Sequence, residues 1–114
     1  MVVCRQDEVD RIFGALADPT RRDIVARVLA REVSVSVLAE RYAMSFAAVQ
    51  RHVAVLERAG LVSKERRGRE RLVRADVDTI RAAARLLDQY EEIWRGRIGR
   101  LEDILAEPAE GDRP

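Results

Sequence analysis

The sequence predicts a mainly α-helical fold, a winged helix-turn-helix of about five helices plus a two-stranded β-hairpin wing. Three observations predict it. Between Ser34 and Gly60, two short apolar-striped segments flank a tight turn, and each follows a serine able to cap a helix. Directly after Gly60, two short β-prone runs flank Arg67-Gly68-Arg69. A long last segment then repeats apolar residues every three or four positions.

The elements follow in order. Met1 to Gln6 has no helical period and is expected to be loose. From Asp7 to Ala17, the residues Val9, Ile12, Phe13 and Leu16 make one amphipathic stripe. Asp18-Pro19-Thr20 breaks this helix. Asp18 can cap the next one, and proline at its first position loses no needed N–H. That second helix runs to about Arg31 and is expected to bury Ile24, Val25, Val28 and Leu29. Ser34 caps a third helix with Val35, Leu38, Ala39 and Tyr42 on one face. Ala43-Met44 turn the chain. Ser45 caps a fourth helix, Phe46 to Ala59, with Val49, Val53 and Leu56 inward. Gly60 supplies the left-handed residue that ends it.

Leu61 to Arg66 and Glu70 to Arg74 form the hairpin, with Gly68 at or near its turn. A lone hairpin is barely stable. Leu61, Val62, Leu72 and Val73 are therefore expected to pack on the fourth helix. Asp76 or Asp78 caps a last helix to about Ala106. Its apolar positions, Ile80, Ala83, Leu87, Tyr90, Trp94, Ile98, Leu101 and Leu105, approach a heptad seam. No later element can cover that seam, so it needs a partner, or the first helix of its own chain. Gly96 and Gly99 each lower helix propensity by roughly 1 kcal/mol; they mark a kink or a close approach of backbones. Residues 1–106 are thus expected to be one domain with dimerisation helices at both ends, and 107–114 a disordered tail.

Composition narrows the function classes. The chain is 114 residues long, 47 % apolar and 36 % charged, with only 4 % aromatics, so the core is aliphatic. No apolar run approaches the roughly 18 residues of a membrane span, and no signal peptide is apparent. Cys4 is the single cysteine, which rules out an internal disulfide and suits a reducing cytoplasm. The net charge of +1 hides an asymmetry. Lys64 to Arg74 carries six cations against two anions, and Asp88 to Pro114 eight anions against four cations. A basic patch beside the fourth helix and an acidic end elsewhere fit a protein with one DNA-facing side.

In a helix-turn-helix the second helix enters the major groove by its N-terminal end. Ser45, Phe46, Ala47, Gln50 and Arg51 are the candidate base-reading residues. Gln50 can pair with adenine in bidentate fashion, and Phe46 and Ala47 offer apolar contact to a thymine methyl. Phe46 has the alternative of folding back into the core. Lys64, Arg66, Arg67, Arg69 and Arg71 are candidate backbone contacts from the wing. Val9, Ile12, Phe13, Leu87, Tyr90, Trp94, Ile98 and Leu101 are candidates for a dimer interface. His52 borders the inward stripe and is expected to be a packed structural residue. There is no Gly-rich phosphate loop, no second histidine and no nucleophile–base set, so no enzyme and no cofactor are expected.

Several stretches carry a family resemblance. Phe13-Gly-Ala-Leu-Ala-Asp-Pro-Thr-Arg-Arg-Asp-Ile-Val25 resembles the opening of ArsR-type winged-helix regulators. So do Val35 to Ala43 and Ala48-Val-Gln-Arg-His-Val-Ala-Val-Leu-Glu-Arg-Ala-Gly-Leu-Val62, and the match extends through the wing to about residue 105. The resemblance implies a homodimeric bacterial transcription factor, usually a repressor, with first and last helices at the dimer interface. Three departures matter. Family metal sensors often carry Cys-x-Cys at the third helix, or Asp and His ligands on the last; here Val33 to Leu38 holds no thiol and the last helix no His or Cys. Phe46 and Ala47 replace polar residues. Ala43 replaces a common turn glycine and Val37 a usual capping-box Glu, each at a small cost in stability. The last helix from Ile93 to Leu105 resembles the metal-free branch of small ArsR-type repressors.

These lines predict a cytoplasmic homodimeric repressor that binds an inverted-repeat operator on double-stranded DNA without sensing metal. Two alternatives stand beside it: a thiol or metal sensor using Cys4, and a winged-helix protein-interaction module. The sequence names no effector.

Overall fold

A computed structural model of the chain describes residues 5–106. The expectations for Met1 to Cys4 and for the tail 107–114 lie outside the described residues. The elements run α1 (Gln6–Ala15), α2 (Pro19–Ala30), β1 (Val33–Ser34), α3 (Val35–Glu40), α4 (Phe46–Arg58), β2 (Val62–Arg67), β3 (Glu70–Ala75) and α5 (Val77–Ala106). Gln6, expected to be loose, is already helical.

Local chemistry sets the boundaries. Asp18 Oδ2 accepts from the Arg21 amide at 2.9 Å, Ser34 Oγ from Val37 at 3.2 Å and Ser45 Oγ from Ala48 at 3.1 Å. Asp76, not Asp78, caps α5: its Oδ1 accepts from the Thr79 amide at 3.2 Å. Each of these bonds satisfies a backbone donor that the helix itself leaves without a partner. At the other end of α4, the Gly60 amide donates to Glu57 and the Leu61 amide to Leu56, both at 3.0 Å. That is a Schellman motif, and it needs the left-handed φ of +77° that Gly60 has. Leu56 and Leu61, which this motif brings together, are both fully buried.

The hairpin turns on Gly68 and Arg69. Gly68 has φ +64° and Arg69 after it has no positive φ, the sign pattern of a type II′ turn. Ala43 likewise has no positive φ, so the glycine common at that turn would gain nothing there, contrary to expectation. The two-stranded wing β2–β3 forms as expected, and β1 joins it in a three-stranded sheet of order β1-β3-β2. Val33 pairs with Val73 and Ser34 with Leu72, antiparallel. This third strand ties the start of α3 to the root of the wing.

Two compact units divide the chain, the first ending at Ala83 and the second beginning at Ala84. The first holds the core. Ile12, Ala15, Ile24, Val25 and Val28 come from α1 and α2, Val35 and Leu38 from α3, and Val49, Val53 and Leu56 from α4. Leu61, Val62 and Val73 close it from the wing, and Ile80 and Ala83 pack on it from the start of α5. Full burial of each large aliphatic side chain contributes roughly 1.5–3 kcal/mol. Leu29, expected in this core, is 48 % exposed. The second unit is the remainder of α5, and it leaves Leu87, Tyr90, Ile93, Trp94 and Leu101 exposed along its length. The helix runs unbroken through Gly96 and Gly99. A Cβ at Gly99 would meet nothing within 4 Å, and one at Gly96 only the Arg100 side chain. Neither glycine interrupts the helix. Both lie opposite the Trp94 stripe, two and five residues beyond it at about 100° per residue.

Candidate nucleic-acid interface

The candidate interface is built by α3, α4 and the wing, all within the first unit. Val49, Val53 and Leu56 anchor α4 by one face. That anchoring leaves Ser45, Phe46, Ala47, Gln50 and Arg51 exposed at its N-terminal end. Phe46 is 46 % exposed and does not fold back into the core. It lines, with Gln50, a cleft of about 200 Å³ whose other wall includes Lys64, Arg69 and Arg71. Ala47 and Arg51 occupy the adjoining exposed face.

The turn after α3 is held to α2 by a polar cluster. The Tyr42 hydroxyl donates to Asp23 Oδ2 at 2.6 Å, and Arg27 Nε donates to the same oxygen at 2.8 Å. The Arg27 guanidinium also lies 5.9 Å from the Tyr42 ring centre. Burial, reinforced by the bond to Asp23, pushes the Tyr42 phenol up to about 12. The same two donors, Tyr42 first, hold the Asp23 carboxyl below its ordinary range.

The register of the wing sorts its cations. Directly paired residues share a face. Lys64 opposes Val73 and Arg66 opposes Arg71, so these side chains share the face of the buried Val62 and Val73. Arg67 opposes Glu70 and Arg74 opposes Ser63 on the other face. That other face is neutralised: Arg67 lies 3.6 Å from Glu65, and Arg74 lies 3.1 Å from both Glu65 and Glu32. On the inner face, Lys64 is tied to Glu57 of α4 at 3.5 Å and acts as a strut. Arg66, Arg71 and the turn residue Arg69 are exposed and form no ion pair among the described residues. Two arginines directly opposite one another repel, which weakens the free hairpin. The five wing cations equivalent in sequence are therefore not equivalent in place.

Comparison with known proteins gives concordant results. Residues 16–65 match the model of a helix-turn-helix domain. The HTH-type transcriptional regulator Rv2034 of Mycobacterium tuberculosis is 37 % identical over 81 residues, covering 71 % of this chain and 76 % of that protein. A solved ArsR-like transcriptional regulator from Rhodococcus sp. RHA1 superposes with a TM-score of 0.73 at 32 % identity, covering 89 % of this chain and 94 % of the other. The chain belongs to the ArsR family of helix-turn-helix transcriptional regulators. The winged helix-turn-helix DNA-binding domain of a possible ArsR-family regulator from Mycobacterium bovis shares the fold, with a TM-score of 0.63, 24 % identity and coverage of 81 % and 92 %. Family and fold are those of DNA-binding transcriptional regulators, not of enzymes.

In this ArsR-family regulator, the residues expected at a dimer interface fall in several places. Leu87, Tyr90, Trp94 and Leu101 are exposed on the second unit, with Ile98 half-buried among them. Val9 and Phe13 are half-buried on α1. Ile12, expected with them, is only 3 % exposed and belongs to the core, so it has no surface to offer a partner. Sequence reasoning missed Ser36, exposed on α3 and lining the cleft with Phe46 and Gln50. Its only signal was its position in the first turn of a capped helix. No group of three or more metal-ligating side chains comes together among the described residues, and Cys4 lies outside them. No helix among them is long and apolar enough to cross a membrane.

Proposed function

We propose that this regulator is a homodimeric, sequence-specific repressor of the cytoplasm that binds an inverted-repeat operator and does not respond to metal. The observation that carries the reading is the shared cleft: Phe46 and Gln50 of α4 border one space with Arg69 and Arg71 of the wing, beside Glu70. Ser45, Phe46, Ala47, Gln50 and Arg51 meet base edges or the nearest phosphate, with Gln50 supplying the hydrogen-bond readout. Arg66, Arg69 and Arg71 take backbone phosphates, which relieves their mutual repulsion. Lys64 and Arg67 contribute less, since each already faces a carboxylate.

A second copy covers Leu87, Tyr90, Trp94, Ile98 and Leu101 of α5, with Val9 and Phe13 of α1 as further contacts. The support is the exposed apolar stripe and the Mycobacterium bovis relative, which is described as homodimeric. Independence from metal rests on the missing thiols of α3 and the missing His and Cys of α5.

Selection of bound sequences from a random duplex pool, at two salt concentrations and with Gln50→Ala alongside the wild type, tests the reading. The expected result is an enriched inverted repeat with half-site centres about 34–36 Å apart or a multiple of it. Its preference relaxes in Gln50→Ala, and zinc or a chelator changes nothing. Binding without any sequence preference refutes the repressor reading; a zinc-dependent affinity refutes the metal-free part alone.

A further inference from the structure

One polar cluster in the first unit serves neither the cleft nor the hydrophobic core. Its centre is Arg21, near the start of α2. Arg21 Nε donates to the Ala15 carbonyl at 2.7 Å, and Nη2 donates to the Gly14 carbonyl at 3.2 Å. Both acceptors belong to the last turn of α1, where the helix runs out of its own donors; the Gly14 carbonyl also receives the Ala17 amide at 3.2 Å. The remaining arm, Nη1, lies 3.3 Å from Nδ1 of His52 on α4. A guanidinium only donates, so the contact is a hydrogen bond with Nδ1 as its acceptor. Asp18 completes the group: its Oδ2 receives the Arg21 amide at 2.9 Å and lies 3.9 Å from His52 Nδ1. The Asp18 carboxyl is held below its ordinary range, first by that amide bond.

Three donors of one planar side chain thus reach two helices. His52 sits on the flank of α4, between the buried stripe and the exposed faces, with its side chain 23 % exposed. The buried stripe of Val49, Val53 and Leu56 fixes the depth of α4, but aliphatic packing is non-directional and tolerates small rotations about the helix axis. A hydrogen bond at the flank is directional. Readout of a base edge needs its side chains held within about 0.5 Å and 10–20°.

We propose that Arg21 and His52 are a positioning pair that sets the rotation of α4 about its axis against α1, and so which side chains of α4 face the bases. The pair touches no DNA itself. This inference rests on the reading of α4 as the base-reading helix.

The test uses the full chain and measures affinity for the duplex selected by the wild type and for a random duplex, with thermal melts in parallel. His52→Leu fills the space but accepts no hydrogen bond. His52→Asn places Oδ1 close to where the imidazole places Nδ1. Arg21→Lys keeps the charge but replaces the fork with a single ammonium, which cannot span both helices. The expected result for His52→Leu and Arg21→Lys is a loss of about tenfold in the ratio of selected to random affinity, the size of one good base contact. Random-duplex affinity and salt slope stay as in the wild type, and His52→Asn restores the ratio. A His52→Leu protein that melts cooperatively and keeps the full ratio overturns the proposal. If it does not melt cooperatively, Arg21→Lys decides by the same ratio. An equal loss for both duplexes, unrescued by His52→Asn, also overturns it, because a merely structural role would act that way. A wild type with no preferred sequence overturns the underlying reading instead, and the two failures are thereby distinct.

Discussion

Single residues in this chain act through bonds that geometry makes checkable. Tyr42 is the clearest case. Its hydroxyl donates to Asp23 at 2.6 Å and joins the turn between α3 and α4 to α2. Tyr42→Phe keeps the ring but leaves the carboxylate with Arg27 alone. The expected loss is about 0.5–1.5 kcal/mol of unfolding free energy, read by denaturant titration. The pH dependence follows from the same bond. The phenol ionises near 10 in the unfolded chain and at about 12 in the folded one. The folded state therefore binds more protons between those values. This contribution is fully present below pH 10 and is lost as pH rises towards 12. Stability of the wild type should fall through that window, and Tyr42→Phe should flatten the fall. An unchanged slope in the variant would assign the alkaline loss to other groups.

At the scale of the element, the wing is the most informative piece. Its sequence is a run of cations, but its pleat places them on two faces with different electrostatics. Arg66→Ala is expected to weaken binding to every duplex about equally and to lower the salt slope by about one. The same change removes a like-charge opposition to Arg71, so the free protein should melt no lower than the wild type. Arg67→Ala should leave the salt slope unchanged, since Glu65 and Glu70 already face that charge. Salt titrations of DNA binding by fluorescence anisotropy separate the two variants. Equal slopes for both would mean that the wing does not meet DNA by its inner face. Much of this element is legible from sequence: its two main strands, its glycine turn and its apolar root follow from local pattern. Its third strand is not, because Val33–Ser34 is too short to show a period and is defined only by pairing with Leu72 and Val73.

For the molecule as a whole, the exposed stripe of α5 is the main unsatisfied feature. Trp94 is 54 % exposed and Leu87 likewise, a large apolar area for a helix that continues unbroken for 30 residues. Trp94→Glu should convert a dimer to a monomer in sedimentation and remove most operator affinity, because two half-sites are then engaged independently. Gln89→Glu, on the opposite side of the same helix, should leave both unchanged. A Trp94→Glu protein that remains dimeric would move the interface off this stripe. The charge asymmetry of the chain belongs to this scale too. The basic run Lys64 to Arg74 lies on the wing, and the acidic run begins on the second unit.

The sequence alone determined what local interactions determine. Caps at Asp18, Ser34 and Ser45, the left-handed glycines Gly60 and Gly68, and the apolar stripe of α4 all involve residues within a few positions of one another. Their physics is complete in a short window, so the helix-turn-helix, the wing and the family were legible. Tertiary structure decided the rest. Leu29 is exposed and Ile12 buried because burial depends on which elements arrive opposite a stripe, not on the stripe itself. The sorting of Arg66 and Arg71 from Arg67, the strut from Lys64 to Glu57, and the reach of Arg21 to His52 depend on strand register and on pairs as far as 31 residues apart. Charge and hydrogen-bonding capacity are written in the chain; which partner satisfies them is fixed only when the fold brings the two ends of each pair within bonding distance.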